Sequence, residues 1–456
     1  MSIATVILAA GQGTRMKSGL AKVLHAVGGK PMVLRAVESA EKIGAARLVV
    51  VVGHHAEAVT QAVRGRAETA LQAQQLGTGH AVMQAADLLR GTSEIVVVTY
   101  ADMPLLRPET LRQLVQAQQH NTAGCLAMLT VTLPNPRGFG RVMRAADGSV
   151  TAIVEESECT PEQRAIQELN AGVYAFKAAW LWDALTRIQP KSKGEYYLTD
   201  LIEIAVAEGQ RVVGIEAEDA DEVIGVNTRV HLAEAEAILR RRVNEQHMLN
   251  GVTLIDPAAT YIEESVQIGA DTIIYPNTHL RGETVIGTNC LIGANSVILD
   301  SRIGNHCHIE ASVIERATLE DHVEIGPFGH LRAGAYLCEG VHMGNFGEVK
   351  NARLGRKTRM GHFSYIGDAE IGEDVNIGAG TITVNYDGVR KHKTVIGDHA
   401  FIGSDSMLVA PVVVASNART AAGSVVTRDV PENHIAVGVP ARMRALSAPE
   451  PDAPNT

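Results

Sequence analysis

The spacing of apolar and polar positions changes character along the chain. Up to about residue 227, short β-branched runs alternate with helical patterns. Ile3–Ala9, "RLVVVV" (47–52) and "EIVVVTYAD" (94–102) are continuous apolar runs of the length of buried strands. Between them, Pro31 opens a helix whose Val33, Val37 and Ala40 share a face, with Gly44 at its exit, and "HAVMQAADLL" (80–89) repeats the helical spacing. This alternation predicts a mostly parallel sheet with helices on both faces, an α/β domain over residues 1–227. Ligands bind such sheets beyond the carboxyl ends of strands. Two polar segments fall at such ends, "GQGTRM" (11–16) and "YADMPL" (100–105).

Residues 228–250 carry helix formers without proline, with Leu232, Leu239 and Val243 at helical spacing and Gly251 as a stop, which predicts a linker helix. Its Arg240–Arg242 run reads as a solvated face rather than a phosphate patch. Beyond residue 251 the period becomes six. Ile396, Ile402, Leu408, Val414, Thr420 and Val426 follow at unbroken steps, and Ile286, Ile292 and Ile298 keep the same step earlier. A glycine or small residue often follows, as in "IGTNC", "IGANS" and "IGSDS". This hexapeptide period predicts a parallel β-helix over 251–445, each aliphatic side chain pointing into the core. Residues 446–456, "LSAPEPDAPNT", lack an apolar anchor and read as a disordered tail.

Composition narrows the class. Hydrophobic residues are 46% of the 456 and aromatics only 4%, so the cores must be aliphatic. A net charge of −10 argues against a general nucleic-acid binder. The five cysteines form no CxxC pair, which points to a reducing compartment. Cys290 and Cys307 fall in the small slot of the repeat and read as packing residues, and the flanking His306/His308 pair fits a β-helix turn as well as a metal site. With no run of membrane-span length and no leader pattern after Met1, a cytoplasmic protein is expected.

Two features carry candidate chemistry. In "LAAGQGTRM" (8–16), Gly11 and Gly13 let backbone N–H groups approach a ligand, while Arg15 can fork onto phosphate oxygens and Lys22 adds a point charge. The loop has neither a Walker A ending nor the third glycine of a dinucleotide fingerprint. In the second half the period reads as interrupted at 342–368 and at 384–393, both rich in Asn, His, Lys, Arg and Tyr. Arg353, Arg356, Lys357 and Arg359 near His362 suggest an anion site beside a proton acceptor.

The first half resembles the sugar-phosphate nucleotidylyltransferases, whose signature L-A-A-G-x-G-T-R-M plus a lysine is met by Leu8–Met16 and Lys22. Residues 251–445 resemble the hexapeptide-repeat acyltransferases, "GVPAR" (438–442) being similar to their closing motif. "LGTGHA" (76–81), "GFGRV" (138–142), "GEYYLTD" (194–200), "GNFGEVKNARLG" (344–355) and "NIGAGTITVNYDG" (376–388) extend the resemblance over nearly the whole chain. Together they resemble the bacterial family that joins an N-acetylglucosamine-1-phosphate uridylyltransferase to a glucosamine-1-phosphate N-acetyltransferase.

The resemblance implies a Rossmann-like first domain, a left-handed β-helix, a homotrimer, and a role in supplying peptidoglycan and lipopolysaccharide precursors. It implies that UTP, N-acetylglucosamine-1-phosphate, glucosamine-1-phosphate and acetyl-CoA are substrates and magnesium the cofactor, with no nucleic-acid or membrane partner. Leu8, Ala9, Ala10, Gly11, Gln72, Gly77, Thr78, Tyr100 and Ala101 would line the nucleotide. Gly140, Glu155, Asn170 and Asn227 would meet the sugar, and Asp102 with Asn227 would hold the metal. For acetyl transfer, His362 would be the base and Glu348 its orienting partner. Arg332 and Lys350 would bind the sugar phosphate. Tyr365, Asn376, Asn385 and Tyr386 would contact sugar or acyl groups, and Ala379, Ser404 and Ala422 would lie along coenzyme A. Arg390, Lys391 and Lys393 would face the phosphates of coenzyme A.

The chain departs from the family pattern at Ala21, Ala101 and Phe139, where proline, glycine and tyrosine are usual, and in a closing segment that lacks an arginine. Two alternatives stay open from the residues: a single-activity nucleotidylyltransferase with a structural β-helix, and a non-enzymatic regulatory subunit of the same layout.

Overall fold

The computed structural model describes residues 2–134, 138–191 and 194–446 and divides into two compact units, Met1–Leu239 and Arg240–Thr456. The first is built on a sheet of strands β1 (Ile3–Ala9), β2 (Arg47–Val52), β3 (Glu68–Leu71), β4 (Ile95–Tyr100), β5 (Leu126–Thr132), β6 (Arg141–Arg144), β7 (Val150–Val154), β8 (Glu168–Lys177) and β9 (Val212–Glu216). The spatial order is β9-β5-β8-β4-β1-β2-β3, with β6 and β7 as a hairpin off β8. The β1–β4 strands pair in parallel, whereas β8 runs antiparallel to both β4 and β5. Alternation along β1 sends Val6 and Leu8 into one apolar layer and Ile7 and Ala9 into another, so both faces are covered. Helix α1 (Met32–Lys42) lays Val33, Val37 and Ala40 on the second layer, all fully buried. The segment 80–89, read as one helical stretch, is two short helices, Thr78–Met83 and Ala86–Leu89.

One helix, Arg229–Leu249, spans the residues expected as a linker. Its first half belongs to the first unit: Ala235 and Leu239 are buried, and Glu236 accepts from Gly28 N at 2.7 Å. Its second half belongs to the second unit: Asn244 is buried and its amide donates to Pro257 O (2.7 Å) and Thr260 O (2.9 Å), while Arg240 lies 4.8 Å over the Tyr261 ring. No helix among the described residues is long and apolar enough to cross a membrane.

The second unit is a parallel β-helix. Each coil adds one short strand to each of three parallel sheets, so that Ile292, Ile309, Ile325, Met343, Met360, Ile377 and Ile402 stack in one buried column. The Ile-Gly pairs follow from this stacking: a Cβ on Gly287 would sit 2.6 Å from Gly304 O of the next coil. Cys290 and Cys307 are buried and free, their thiols donating to Gly304 O (3.1 Å) and Glu320 O (3.2 Å). "GVPAR" turns the chain into an antiparallel pair, His434–Val437 with Arg442–Ala445, that ends the stack. Leu446 is described, its N–H bonded to Asn433 O at 2.9 Å, and the rest of the expected tail lies outside the described residues.

One expected interruption is corrected. Residues 342–368 continue the coil, with strands at His342–Met343, Gly347–Lys350, Arg353–Leu354, Arg359–Met360 and Ser364–Gly367. Their polar residues stand on outer faces, where the six-residue step sets no demand, while Met343, Val349, Leu354, Met360 and Ile366 keep the core. Of the two expected interruptions, the one between Ile382–Val384 and Thr394–Ile396 does leave the coil as a loop. Because the core column tolerates no void, Ile298→Ala should lower the stability of the β-helix by about 2–5 kcal/mol. A urea titration read by circular dichroism checks this, and an unchanged midpoint would contradict the packing.

Candidate active site

The first candidate site is assembled at neighbouring strand ends. Leu8 pairs with Tyr100, and Ala101 N donates to Leu8 O at 3.0 Å, which sets the loop after β1 beside Asp102. Leu8, Ala9, Ala10 and Ala101 are buried, and Ala101 shares an apolar cluster with Ala21, the other alanine departure. Gly11 and Arg15 are exposed. Gly13 has φ +63°, and a Cβ there would come 2.6 Å from the Lys22 Cβ, so glycine is what lets the loop fold back on Lys22.

Lys22 is placed differently from the expected phosphate contact. Its ammonium donates to Asp102 Oδ2 and, at 3.0 Å, to Asn227 Oδ1. These two oxygens come from segments far apart in sequence yet converge on one cationic point. Val226 N donates to Asp102 O at 2.8 Å and zips the two segments together. Glu222, fully buried, tightens the same junction by accepting from Arg107 N (3.0 Å) and Thr110 Oγ1 (2.6 Å) and by pairing with the Arg107 guanidinium. The sequence reading missed Glu222, since nothing local marks it.

Around this centre, Gln72 is buried and donates to Gly77 O at 3.0 Å, and Thr78 Oγ1 accepts from Leu198 N at 3.0 Å. Burial, with the charges of Asp102 and Glu155, holds the Tyr100 phenol far above its usual range. Glu155 is raised by burial and by Glu158. Gly140 O accepts from Asn170 N at 2.9 Å, and Gly140 lies against Glu155, so these three expected sugar contacts are neighbours. The Asn170 amide, however, bonds Tyr174 OH at 2.8 Å and Gly172 N at 3.0 Å and holds a bulge in β8.

The second candidate site lies on one face of the β-helix. Lys350 ends one strand and pairs with Gly367, and Glu348 pairs with Tyr365. Contact with Lys391, then the charge of Arg332, pulls the Lys350 ammonium below its ordinary value. Three cations thus gather where the 385–393 loop returns to the coil, which suits an anion. The loop is held by Asp387, which accepts from Val389 N (2.7 Å), Arg390 N (2.6 Å) and His392 Nε2 (2.6 Å); Tyr386 bridges Lys391, and Lys393 pairs with Glu370 at 2.8 Å.

His362, Ala379, Ser404 and Ala422 stand at the same corner of successive coils, with Asp405 N bonded to Ala379 O (2.7 Å) and Gly423 N to Ser404 O (2.8 Å). Three expectations are corrected here. Glu348 pairs with Arg332 at 2.8 Å, while the ring of His362 has Asn345 as its partner, Nδ1 to Oδ1 at 3.3 Å. Arg353 stacks over Tyr336 at 4.6 Å and Arg356 pairs with Glu339 at 2.8 Å, away from His362. His362 precedes the strand Ser364–Gly367, whereas Lys350 pairs with its last residue, so within one chain they stand at opposite edges of the face, with a strand of roughly 10 Å between them. Asn376 pairs with Arg359 on a different sheet.

Comparison with known proteins agrees with this layout. The MobA-like NTP transferase domain family matches residues 5–156, and the bacterial transferase hexapeptide family matches 265–300 and 393–428. With that match the coil is a left-handed β-helix. The chain is 47% identical to the bifunctional protein GlmU of Pelobacter propionicus, covering 96% of this chain and 95% of that one. It is 49% identical to that of Geobacillus thermodenitrificans (95% and 94%) and 48% identical to that of Enterococcus faecalis (95% and 94%). Identity of this order, running through both units, sets aside the single-activity and regulatory alternatives: the chain belongs to the family of bifunctional GlmU transferases.

Proposed function

We propose that the chain acetylates glucosamine-1-phosphate with acetyl-CoA on its β-helix and then transfers uridylyl from UTP to the N-acetylglucosamine-1-phosphate in its first unit. The observation that carries this reading is the presence of two separate polar centres. One is a converging Asp102–Asn227 oxygen pair beside a glycine-rich loop, and the other is a cation cluster beside the Asn385 amide, on a β-helix face whose opposite edge carries His362.

In the first centre, the loop N–H groups and Arg15 bind the triphosphate, and Lys22 joins them once the Asp102–Asn227 oxygens it now holds are given over to the metal. Asp102 Oδ2 and Asn227 Oδ1 are hard oxygen donors that already converge on a cation, so they fit magnesium. When bound, the metal supplies neutralisation of charge on the α-phosphate. A phosphate oxygen of the sugar forms the new bond to the α-phosphorus, the α–β bridge breaks, and pyrophosphate leaves. No protein base is needed, because the attacking phosphate is already anionic.

In the second centre, Arg332, Lys350 and Lys391 hold the sugar phosphate. His362 takes the proton of the amine, which bonds to the thioester carbonyl carbon as the C–S bond breaks. The separation of His362 from the cation cluster within one chain favours a homotrimer through the β-helix, in which neighbouring copies complete each centre. The substrates are cytoplasmic metabolites, and we place the protein there.

The division of labour is tested with a fragment. Residues 1–239 retain the packed half of the helix, including Ala235, Ile238 and Leu239, which a cut at Arg229 would remove. That fragment is expected to keep uridylyl transfer to supplied N-acetylglucosamine-1-phosphate and to release no thiol from acetyl-CoA. Thiol release by the fragment would overturn the assignment.

A further inference from the structure

Asp368 lies where the loop 385–393 leaves and rejoins the coil. It has φ +48° at a corner, its N–H donates to Lys350 O at 3.1 Å, and its carbonyl accepts from Thr394 N at 3.1 Å. Its carboxylate joins two amides one coil away on either side. Oδ1 accepts from Asn351 Nδ2 at 2.6 Å, and Oδ2 accepts from Asn385 Nδ2 at 2.5 Å. The Asn385 nitrogen also faces Tyr365 OH at 3.5 Å, and Asn385 is largely buried. Asn385 Oδ1 receives no hydrogen bond among the described residues, and Lys350 feels the charge of Asp368 alongside Lys391 and Arg332.

A carboxylate only accepts, so it fixes which end of each amide faces it. Both asparagines must present nitrogen to Asp368, and the oxygen of Asn385 is left for a ligand. That end matters for an amine nucleophile. An acceptor takes an N–H of the amine and leaves the lone pair for attack, whereas an NH2 group in its place would donate to the lone pair and oppose attack. We propose that Asp368 is a positioning residue for acetyl transfer: by holding Asn385 Nδ2 it turns Asn385 Oδ1 toward the amine of the amino-sugar phosphate. This rests on the acetyl-transfer reading of the β-helix.

The test uses the full chain with asparagine in place of Asp368. In Asp368→Asn no acceptor-only group holds the Asn385 amide. The new side chain can turn its nitrogen to Asn385, which then flips and presents NH2 to the substrate. The corner keeps its hydrogen bonds, so thermal unfolding should stay at the wild-type midpoint. The kcat for thiol release should fall about ten- to a hundred-fold, the worth of one hydrogen bond made with the right polarity. KM for glucosamine-1-phosphate should not rise, because the three cations stay in place and lose only a neighbouring negative charge. The double variant Asp368→Asn, Asn385→Asp restores an acceptor-only group at 385 and should regain most of the rate. A purely structural role predicts no loss in Asp368→Asn, and wild-type kcat there would overturn the proposal. If Asp368→Asn unfolds early, the double variant decides: folding regained without rate overturns the proposal, and both regained support it. Absence of thiol release by the wild-type chain would overturn the acetyl-transfer reading itself, and the proposal with it.

Discussion

Asp102→Ala is expected to abolish uridylyl transfer and to leave acetyl transfer at the wild-type rate. Asp102 is the one charged oxygen donor of the converging pair, and its partner Asn227 offers only a neutral carbonyl. Neutralising charge on a transferring phosphoryl group is worth several kcal/mol, and each 1.36 kcal/mol is tenfold, so a loss of about a thousandfold or more follows. The alanine also strips Lys22 of its ion-pair partner. Asp102→Asn, which keeps shape and an accepting oxygen but not the charge, separates the two effects and should lose nearly as much. Pyrophosphate release followed against magnesium concentration makes the measurement, with thiol release from acetyl-CoA as internal control. Wild-type pyrophosphate release by the alanine variant at ordinary magnesium would remove Asp102 from the metal site.

The second large effect is expected at His362. The amine of glucosamine-1-phosphate is partly protonated near neutrality and must lose a proton to attack. One positioned base contributes roughly a hundred- to ten-thousand-fold, so His362→Ala should lower thiol release by that factor. Raising the pH should return part of the rate, because more of the amine is then neutral without help. Uridylyl transfer should not change, since His362 stands on the β-helix and all groups proposed for the nucleotide lie before residue 228. Asn345, the ring's hydrogen-bond partner, offers a milder companion: Asn345→Ala should lower the same rate by about tenfold, one lost hydrogen bond. A near-normal rate for His362→Ala at neutral pH would send the search for the base to the 385–393 loop.

The sequence reading succeeded where a local period is enforced by burial. The strand at 47–52 matches residue for residue, the helix at 229–249 follows its apolar spacing, and the six-residue step appears because every inward slot must be filled by an aliphatic side chain. It failed at 342–368, where the inward slots hold Met343, Val349 and Met360 instead of the Ile-Gly pair, and the polar outer faces looked like a break. It also failed for residues whose partners come from another coil. Asn345–His362, Asn351–Asp368 and Asp368–Asn385 are each 17 residues apart, which is one turn of this coil. That spacing of polar residues was the available signal, and it becomes informative only once the coil length is known. Glu222 gave no such signal, because its partners Arg107 and Thr110 lie more than a hundred residues earlier. Lys22 was recognised as a functional cation, but its place between Asp102 and Asn227 depends on three segments meeting in the folded unit.

The central claim is that one chain performs two transfers in a fixed order. It is tested most directly by supplying glucosamine-1-phosphate, acetyl-CoA, UTP and magnesium, omitting each in turn, and following thiol and pyrophosphate together. The account predicts that thiol release needs only glucosamine-1-phosphate and acetyl-CoA, whereas pyrophosphate release needs all four components. Pyrophosphate appearing at the same rate without acetyl-CoA, or no thiol in any mixture, would contradict it.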